Sequence, residues 1–128
     1  MSAKTYIAVA GNIGCGKSTL VDFICRQYQV APFFEPHAEN PYIVDFYGDM
    51  KRWGFHSQIY FLTHKFRIHQ ELERERDRQA VVQDRTIYED AEIFATNLHR
   101  RKVINSRDWK MYCELYETIL TSLEPPDL

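Results

Sequence analysis

The stretch AVAGNIGCGKSTLVDF, Ala8 to Phe23, passes from an apolar run through three glycines to Lys-Ser-Thr and then to an amphipathic start. With the residues before it, TYIAVAG (Thr5–Gly11) is apolar or β-branched at consecutive positions. That pattern suits a strand covered on both faces, as in a parallel sheet. A helix is expected from Gly16 to about Tyr28, with Leu20, Phe23 and Ile24 on its inner face. Between strand and helix, Gly11 to Ser18 fit G-x-x-x-x-G-K-[ST]. A chance match is expected in roughly one chain of this length in a few hundred. Here the match also has the strand-before, helix-after context that makes it a phosphate loop.

The chemistry demands that spacing. Nucleotide phosphates need several N–H donors at close range, and glycine admits the dihedrals that turn them inward while leaving room for the phosphate. The helix start adds its dipole and its unpaired N–H groups. Gly11, Asn12, Ile13, Gly14, Cys15, Gly16, Lys17, Ser18 and Thr19 are therefore the expected cradle for ATP. Lys17 reaches the β- and γ-phosphates, and the Ser18 hydroxyl holds Mg²⁺.

Outward from that stretch, strands and helices alternate. VAPFFEP (Val30–Pro36) is expected as a second strand, ended by Glu-Pro. NPYIVDFY suggests a short helix with Pro41 near its first turn. A long helix is expected from Phe55 to about Arg78, its far end the solvated charge run ELERERDR. AVVQDRT (Ala80–Thr86) is a third strand, followed by helices over about Glu89–Arg101 and about Ser106–Leu123. Ser106 is the expected N-cap of the last helix, with Asp108 in its first turn. This alternation implies an α/β fold, a P-loop NTPase-type parallel sheet with helices on both faces. The final PPDL resembles the lead-in to a further strand, so the chain is expected to be one P-loop domain over residues 1–128, truncated at its C-terminus.

Composition sets limits on partners. In 128 residues the net charge is −2, and no basic stripe is interleaved with aromatics, which argues against nucleic acid as a partner. No apolar run is long enough to cross a bilayer. Cys15, Cys25 and Cys113 are odd in number and widely spaced, which with the lack of a secretory pattern suits a reducing compartment, the cytoplasm by default. No Cys/His group has zinc-site spacing.

Ligands gather at the carboxyl ends of strands in open α/β sheets. Glu35 closes the second strand and Asp84-Arg85 the third. A carboxylate beside a γ-phosphate binds magnesium or takes a proton from an attacking hydroxyl, and an arginine neutralises the charge that builds in transfer. One such acid is ordinary loop decoration. Two beside a phosphate loop point to phosphoryl transfer.

In this order after GNIGCGKST, the segments FFEPHAEN, DFYGDMKRWGFHSQIYFL and VVQDRTIYEDAEIFA resemble the deoxynucleoside kinase family, which includes deoxyadenosine, deoxyguanosine and deoxycytidine kinases. The resemblance covers essentially the whole chain. It implies that Glu35 is the catalytic acid that takes the 5′-hydroxyl proton, that Arg85 contacts the 5′ end and the phosphates, and that Asp84 is the acid beside it, here a second metal ligand with Ser18. It implies that Tyr47 bonds the sugar 3′-hydroxyl, that Gln58 reads the base edge with its amide, and that Asp90 lies near the base with Lys65 where some members have arginine. A glutamine amide offers a donor and an acceptor side by side, as adenine and cytosine edges require. Each residue also has a plainer role: Tyr47 as core, Lys65–Asp90 as a structural ion pair, and Trp53 and Phe55 as helix-start packing or as walls for a base. His37 and His56 are left without a role. Thr86 stands where many members have serine, and the family's arginine-rich lid and later 3′-hydroxyl acid have no counterpart in these residues.

The expected function is transfer of the ATP γ-phosphate to the 5′-hydroxyl of a deoxynucleoside. The wording QIYFL and DRTIYED favours deoxyadenosine or deoxyguanosine. A homodimer is expected. Two other functions compete: a thymidylate-type nucleoside monophosphate kinase, which needs further arginines for its acceptor's phosphate, and a nucleotide-binding remnant without turnover.

Overall fold

The computed structural model describes residues 4–11, 15–34 and 40–128. They form, in chain order, β1 (Tyr6–Val9), α1 (Lys17–Gln27), β2 (Val30–Phe33), α2 (Ile43–Gly48), α3 (Met50–Glu75), β3 (Ala80–Asp84), α4 (Ile87–Glu89), a π-helical segment (Asp90–Ala95), α5 (Thr96–Arg100) and α6 (Ser106–Leu120). The chain divides into two compact units: Met1–Glu35, Arg67–Thr86 and Glu124–Leu128 in the first, Pro36–Phe66 and Ile87–Leu123 in the second. Among the described residues no helix is long and apolar enough to cross a membrane.

The first unit holds a parallel sheet in the order β1-β3-β2. Tyr6 pairs with Val81 and Val9 with Asp84, and on the other side Val30 pairs with Ala80 and Phe33 with Gln83. Central β3 is buried from Val81 to Asp84, as a doubly covered strand must be. Tyr6, Leu72 and Val81 form the core there, with Ala8, Ala31 and Phe33 packed on it.

Helix α1 corrects one expectation. Its buried residue is Val21, whereas Leu20 and Phe23 are about half exposed, at 47% and 56%. The rotation has a cause. Lys17 contacts Asp84 at the end of β3. Residues 17, 20, 21 and 24 share a helical face, so that contact puts Val21 inward and Phe23 out and leaves Leu20 at the margin of the face.

PPDL does lead into strand-like pairing. The Leu128 N–H reaches the Tyr6 carbonyl at 3.3 Å, and the Ala8 N–H donates to the Leu128 carbonyl at 2.8 Å. That is the slanted pattern of a parallel pair. It uses the edge of β1 opposite to β3, because the Thr5 and Val9 carbonyls accept from Val81 and Arg85 of the β3 segment. Buried Arg76 clamps this tail. Its guanidinium donates to the Lys4 carbonyl at 2.8 Å and to Asp127 at 3.0 Å. His69, wholly buried, has Nε2 2.8 Å from the Glu124 carbonyl. A carbonyl only accepts, so Nε2 carries the proton.

The second unit is helical. Leu62, Ile87, Ala91, Ala95, Tyr112 and Leu123 make one core; Phe46, Leu98 and Ile104 make another. Helix α3 starts at Met50, five residues before the sequence expectation, because Asp49 caps it and accepts from the Arg52 N–H at 3.2 Å. At α6 the cap is Asn105 and not Ser106: the Asn105 side chain accepts from the Asp108 N–H at 2.8 Å. The helix expected over Glu89–Arg101 runs from Ile87 to Arg100 and is widened to a π-turn in its middle.

Burial holds the His69 imidazole below its ordinary pKa, against the opposing pull of the Glu124 carbonyl and Glu73. The unfolded chain takes up a proton near about pH 6.5 while the native chain resists it, so this residue's contribution is constant above that pH and is lost as pH falls below it. Urea melts of wild type and His69→Gln at about pH 7.5 and about pH 5.5 check this. The stability gap between the two proteins should narrow at the lower pH; a gap that is constant or widens contradicts it.

Candidate active site

The first unit carries the residues expected to meet the phosphate donor. Gly16 caps α1 in the left-handed region, at φ 91°. A side chain is strained there, whereas glycine turns the chain into the helix freely. At Gly11 the demand is for space: a Cβ would lie 2.6 Å from the Cys15 sulfur. Lys17 is in contact with Asp84, and the Ser18 hydroxyl donates to the other Asp84 oxygen at 3.0 Å. One carboxylate at the end of β3 thus gathers the ammonium and the hydroxyl of the loop. Thr19 lies next to them, exposed at the start of α1.

Arg85 follows directly. Its backbone is left-handed at φ 63°, although it is not glycine. Such a conformation costs about 1–3 kcal/mol. Two bonds hold it: its N–H donates to the Val9 carbonyl at 3.0 Å, and its guanidinium donates to the Gly11 carbonyl at 2.9 Å. A hydrogen bond from a charged donor returns about 1.5–3 kcal/mol. The strain is therefore offset, and Arg85, only 6% exposed, has its guanidinium fixed on the backbone of the phosphate loop.

The second unit carries the set expected to meet an acceptor. Gln58 and Lys65 lie seven residues apart on α3, hence on one face two turns apart, and both are buried. Lys65 Nζ is 3.6 Å from an Asp90 oxygen, with the two side chains 1% and 6% exposed. Desolvation costs several kcal/mol per ion, so a buried pair is weak as a stability device. Its presence in an interior that could have been apolar favours a functional role. Tyr112 packs beside it, and burial pushes its hydroxyl pKa far up, with the Asp90 carboxylate adding to the shift. Asn40 donates to the Ser57 hydroxyl at 3.1 Å and accepts from the Tyr42 N–H at 2.8 Å, which ties the segment before α2 to α3 one residue from Gln58.

Other expected residues fall differently. Tyr47 is 73% exposed on α2, with its ring against Phe46. Trp53 packs on the Phe46 core and stacks on Tyr42, and Phe55 packs on the Leu62 core. His56 stands against the Trp53 and Tyr42 rings. Glu35 and His37, and Asn12, Ile13 and Gly14 of the loop, lie outside the described residues. Sequence reasoning missed buried Glu89. Its adjacency to Asp90 between apolar residues was the available signal.

Residues 7–128 match the family model described as deoxynucleoside kinase. The chain is 38% identical over 124 residues to a deoxyadenosine kinase of Dictyostelium discoideum, covering 97% of this chain and 49% of that protein. It is 38% identical over 117 residues to a deoxyadenosine/deoxycytidine kinase of Bacillus subtilis, covering 91% and 53%. A solved deoxyadenosine kinase from M. mycoides with bound dATP superposes at a TM-score of 0.79 with 30% identity, covering 96% of this chain and 61% of that one. The chain spans about half the length of these curated relatives.

The close approach at Gly11 gives a direct test. Gly11→Ala should weaken nucleotide binding by about threefold, because the new methyl forces the exposed Cys15 thiol to turn aside. Gly11→Ala combined with Cys15→Ala should recover most of that loss by titration calorimetry. Equal weakening in the single and double variants would show that the sulfur contact is not the cause.

Proposed function

Since the chain belongs to the deoxynucleoside kinase family, we propose that it transfers the γ-phosphate of ATP to the 5′-hydroxyl of a deoxynucleoside, with deoxyadenosine or deoxyguanosine favoured. One observation carries the choice of acceptor. In the second unit a buried amide, Gln58, shares a helix face with the buried Lys65–Asp90 pair. That set of paired donors and acceptors suits the edge of a nucleobase. The names of the relatives, deoxyadenosine, deoxyguanosine and deoxycytidine kinases, support the same class.

Each residue then has a task. Glu35 takes the proton of the attacking hydroxyl, a role for a positioned carboxylate. Tyr47 bonds the sugar 3′-hydroxyl. Lys17 leaves Asp84 for the β- and γ-phosphates, and Arg85 neutralises charge that grows on the transferred group. The loop from Gly11 to Thr19 supplies the backbone donors. Ser18 and Asp84 present hard oxygen donors 3.0 Å apart, which suits Mg²⁺ held by few protein ligands and by phosphates. When bound, the ion adds positive charge at the transferred phosphate. Transfer is direct, so catalysis is positioning and charge neutralisation.

The proposal extends to a cytoplasmic homodimer. Met111 and Leu115, both exposed, stand four residues apart on one side of α6, which supports the homodimer. Sedimentation of the chain at micromolar concentration should give twice the monomer mass.

A panel of deoxyadenosine, deoxyguanosine, deoxycytidine, thymidine and dTMP tests the reaction, read as ADP formed. Turnover should be highest with the two purines and absent with dTMP. Glu35→Gln should lower kcat by about 10²–10⁴ and leave nucleoside affinity within about threefold. Retained turnover in that variant would remove Glu35 from its role, and turnover of dTMP alone would replace the proposed reaction.

A further inference from the structure

The helical run from Ile87 to Arg100 is interrupted by six residues in π geometry, Asp90–Ala95. A π-turn bonds each N–H to the carbonyl five residues back and accommodates one residue more than an α-turn. Thr96 closes this widened turn twice. Its backbone N–H bonds the Ala91 carbonyl, and its hydroxyl donates to the same carbonyl at 2.9 Å. That hydroxyl contact is unlike those of Thr63 on α3 and Thr118 on α6. Thr63 and Thr118 donate four residues back, to Ile59 and Glu114 at 2.8 Å each, as a threonine on an α-helix does. Thr96 reaches five residues back because the turn it seals is wider.

What that turn carries is Asp90. The carboxylate stands at the turn's first residue, 3.6 Å from Lys65. Ala91 and Ala95, the second and last residues of the turn, pack with Leu62 and Tyr112 in one core, and Leu62 lies three residues before Lys65 on α3. The turn is thus anchored on the helix that bears Lys65. An ordinary α-turn would rotate Asp90 by about 100° relative to the helix that follows, at 3.6 residues per turn. The ion pair needs the wide register.

We propose that Thr96 is a positioning residue: its two hydrogen bonds to the Ala91 carbonyl hold the widened turn that aims Asp90, and through Asp90 it sets nucleoside affinity and base preference. This rests on the assignment of Asp90 to the nucleobase made above. Thr96 touches no substrate in this scheme. The phosphate loop lies in the other unit, so ATP affinity is the internal control.

Thr96→Ala removes the hydroxyl without harming helix formation, and Thr96→Ser keeps it. Calorimetric titration of deoxyadenosine, deoxyguanosine and deoxycytidine into the full chain reads the effect, with ATP titrated alongside. Thr96→Ala should weaken purine deoxynucleoside binding about tenfold, compress the purine-over-cytosine ratio and leave ATP affinity within about twofold. Thr96→Ser should restore both to near wild type. Asp90→Asn should weaken nucleoside binding by itself, and Thr96→Ala should add nothing further in that background, since the two act as one unit. If Asp90→Asn weakens binding while Thr96→Ala does not, the role of Thr96 is overturned and the base assignment stands. Additive losses in the double variant, or equal loss of ATP and nucleoside affinity, also overturn it. If Asp90→Asn leaves nucleoside binding unchanged, the base assignment itself falls and takes the role of Thr96 with it.

Discussion

The contact of Lys17 with Asp84 organises the first unit. It ties the first residue of α1 to the last residue of β3. Because side chains recur every 3.6 residues, fixing Lys17 fixes which residues of α1 face the sheet. Val21 goes in, Leu20 stays at the margin and Phe23 goes out, although the larger apolar side chains would return more by burial. The same Asp84 carboxylate accepts from Ser18, so one group holds both polar side chains at the start of α1.

Where the backbone departs from its easiest path stand residues to which the proposed function gives chemical roles. Arg85 sits in the left-handed region directly after Asp84, and its guanidinium is fixed on Gly11. Asp90 opens a π-turn in the middle of a helix. Lys65 and Asp90 bury opposite charges where methyl groups would be more stable. None of these is the lowest-energy choice for a fold alone. Strain and buried charge persist when surrounding packing over-determines them, and such positions cluster at sites of function. Lys102, also left-handed at φ 62°, shows the other case: it lies in the turn after α5 and needs no chemical role.

Much of this was legible in the sequence. The order of strands and helices follows from consecutive apolar runs and helical spacing, and the phosphate loop follows from three glycines and a lysine at fixed positions. Lys17, Ser18, Asp84 and Arg85 were all marked by residue type at a strand end or loop, and the structure brings them together. The misses share a physical origin. Rotation of α1 depends on a contact 67 residues away in sequence, which hydrophobic periodicity cannot contain. The caps at Asp49 and Asn105 were overlooked because several capping residue types stand side by side in DFYGDM and NSRD. The π-turn has no compositional signature, since it changes hydrogen-bond register and not residue type.

The phosphate side also constrains how tightly a nucleotide can hold. Lys17 is satisfied by Asp84 in the protein itself, so binding a triphosphate exchanges one charged partner for another. The exchange is favourable only if the carboxylate it leaves is satisfied in turn. Ser18 already offers one donor at 3.0 Å, which covers one of several lone pairs. A divalent cation at the vacated oxygens would cover the rest, and would supply the positive charge that Lys17 takes away. On the proposed reading nucleotide and cation would bind cooperatively: the cation would satisfy the carboxylate that Lys17 leaves, and the phosphates would hold the ammonium that the cation displaces.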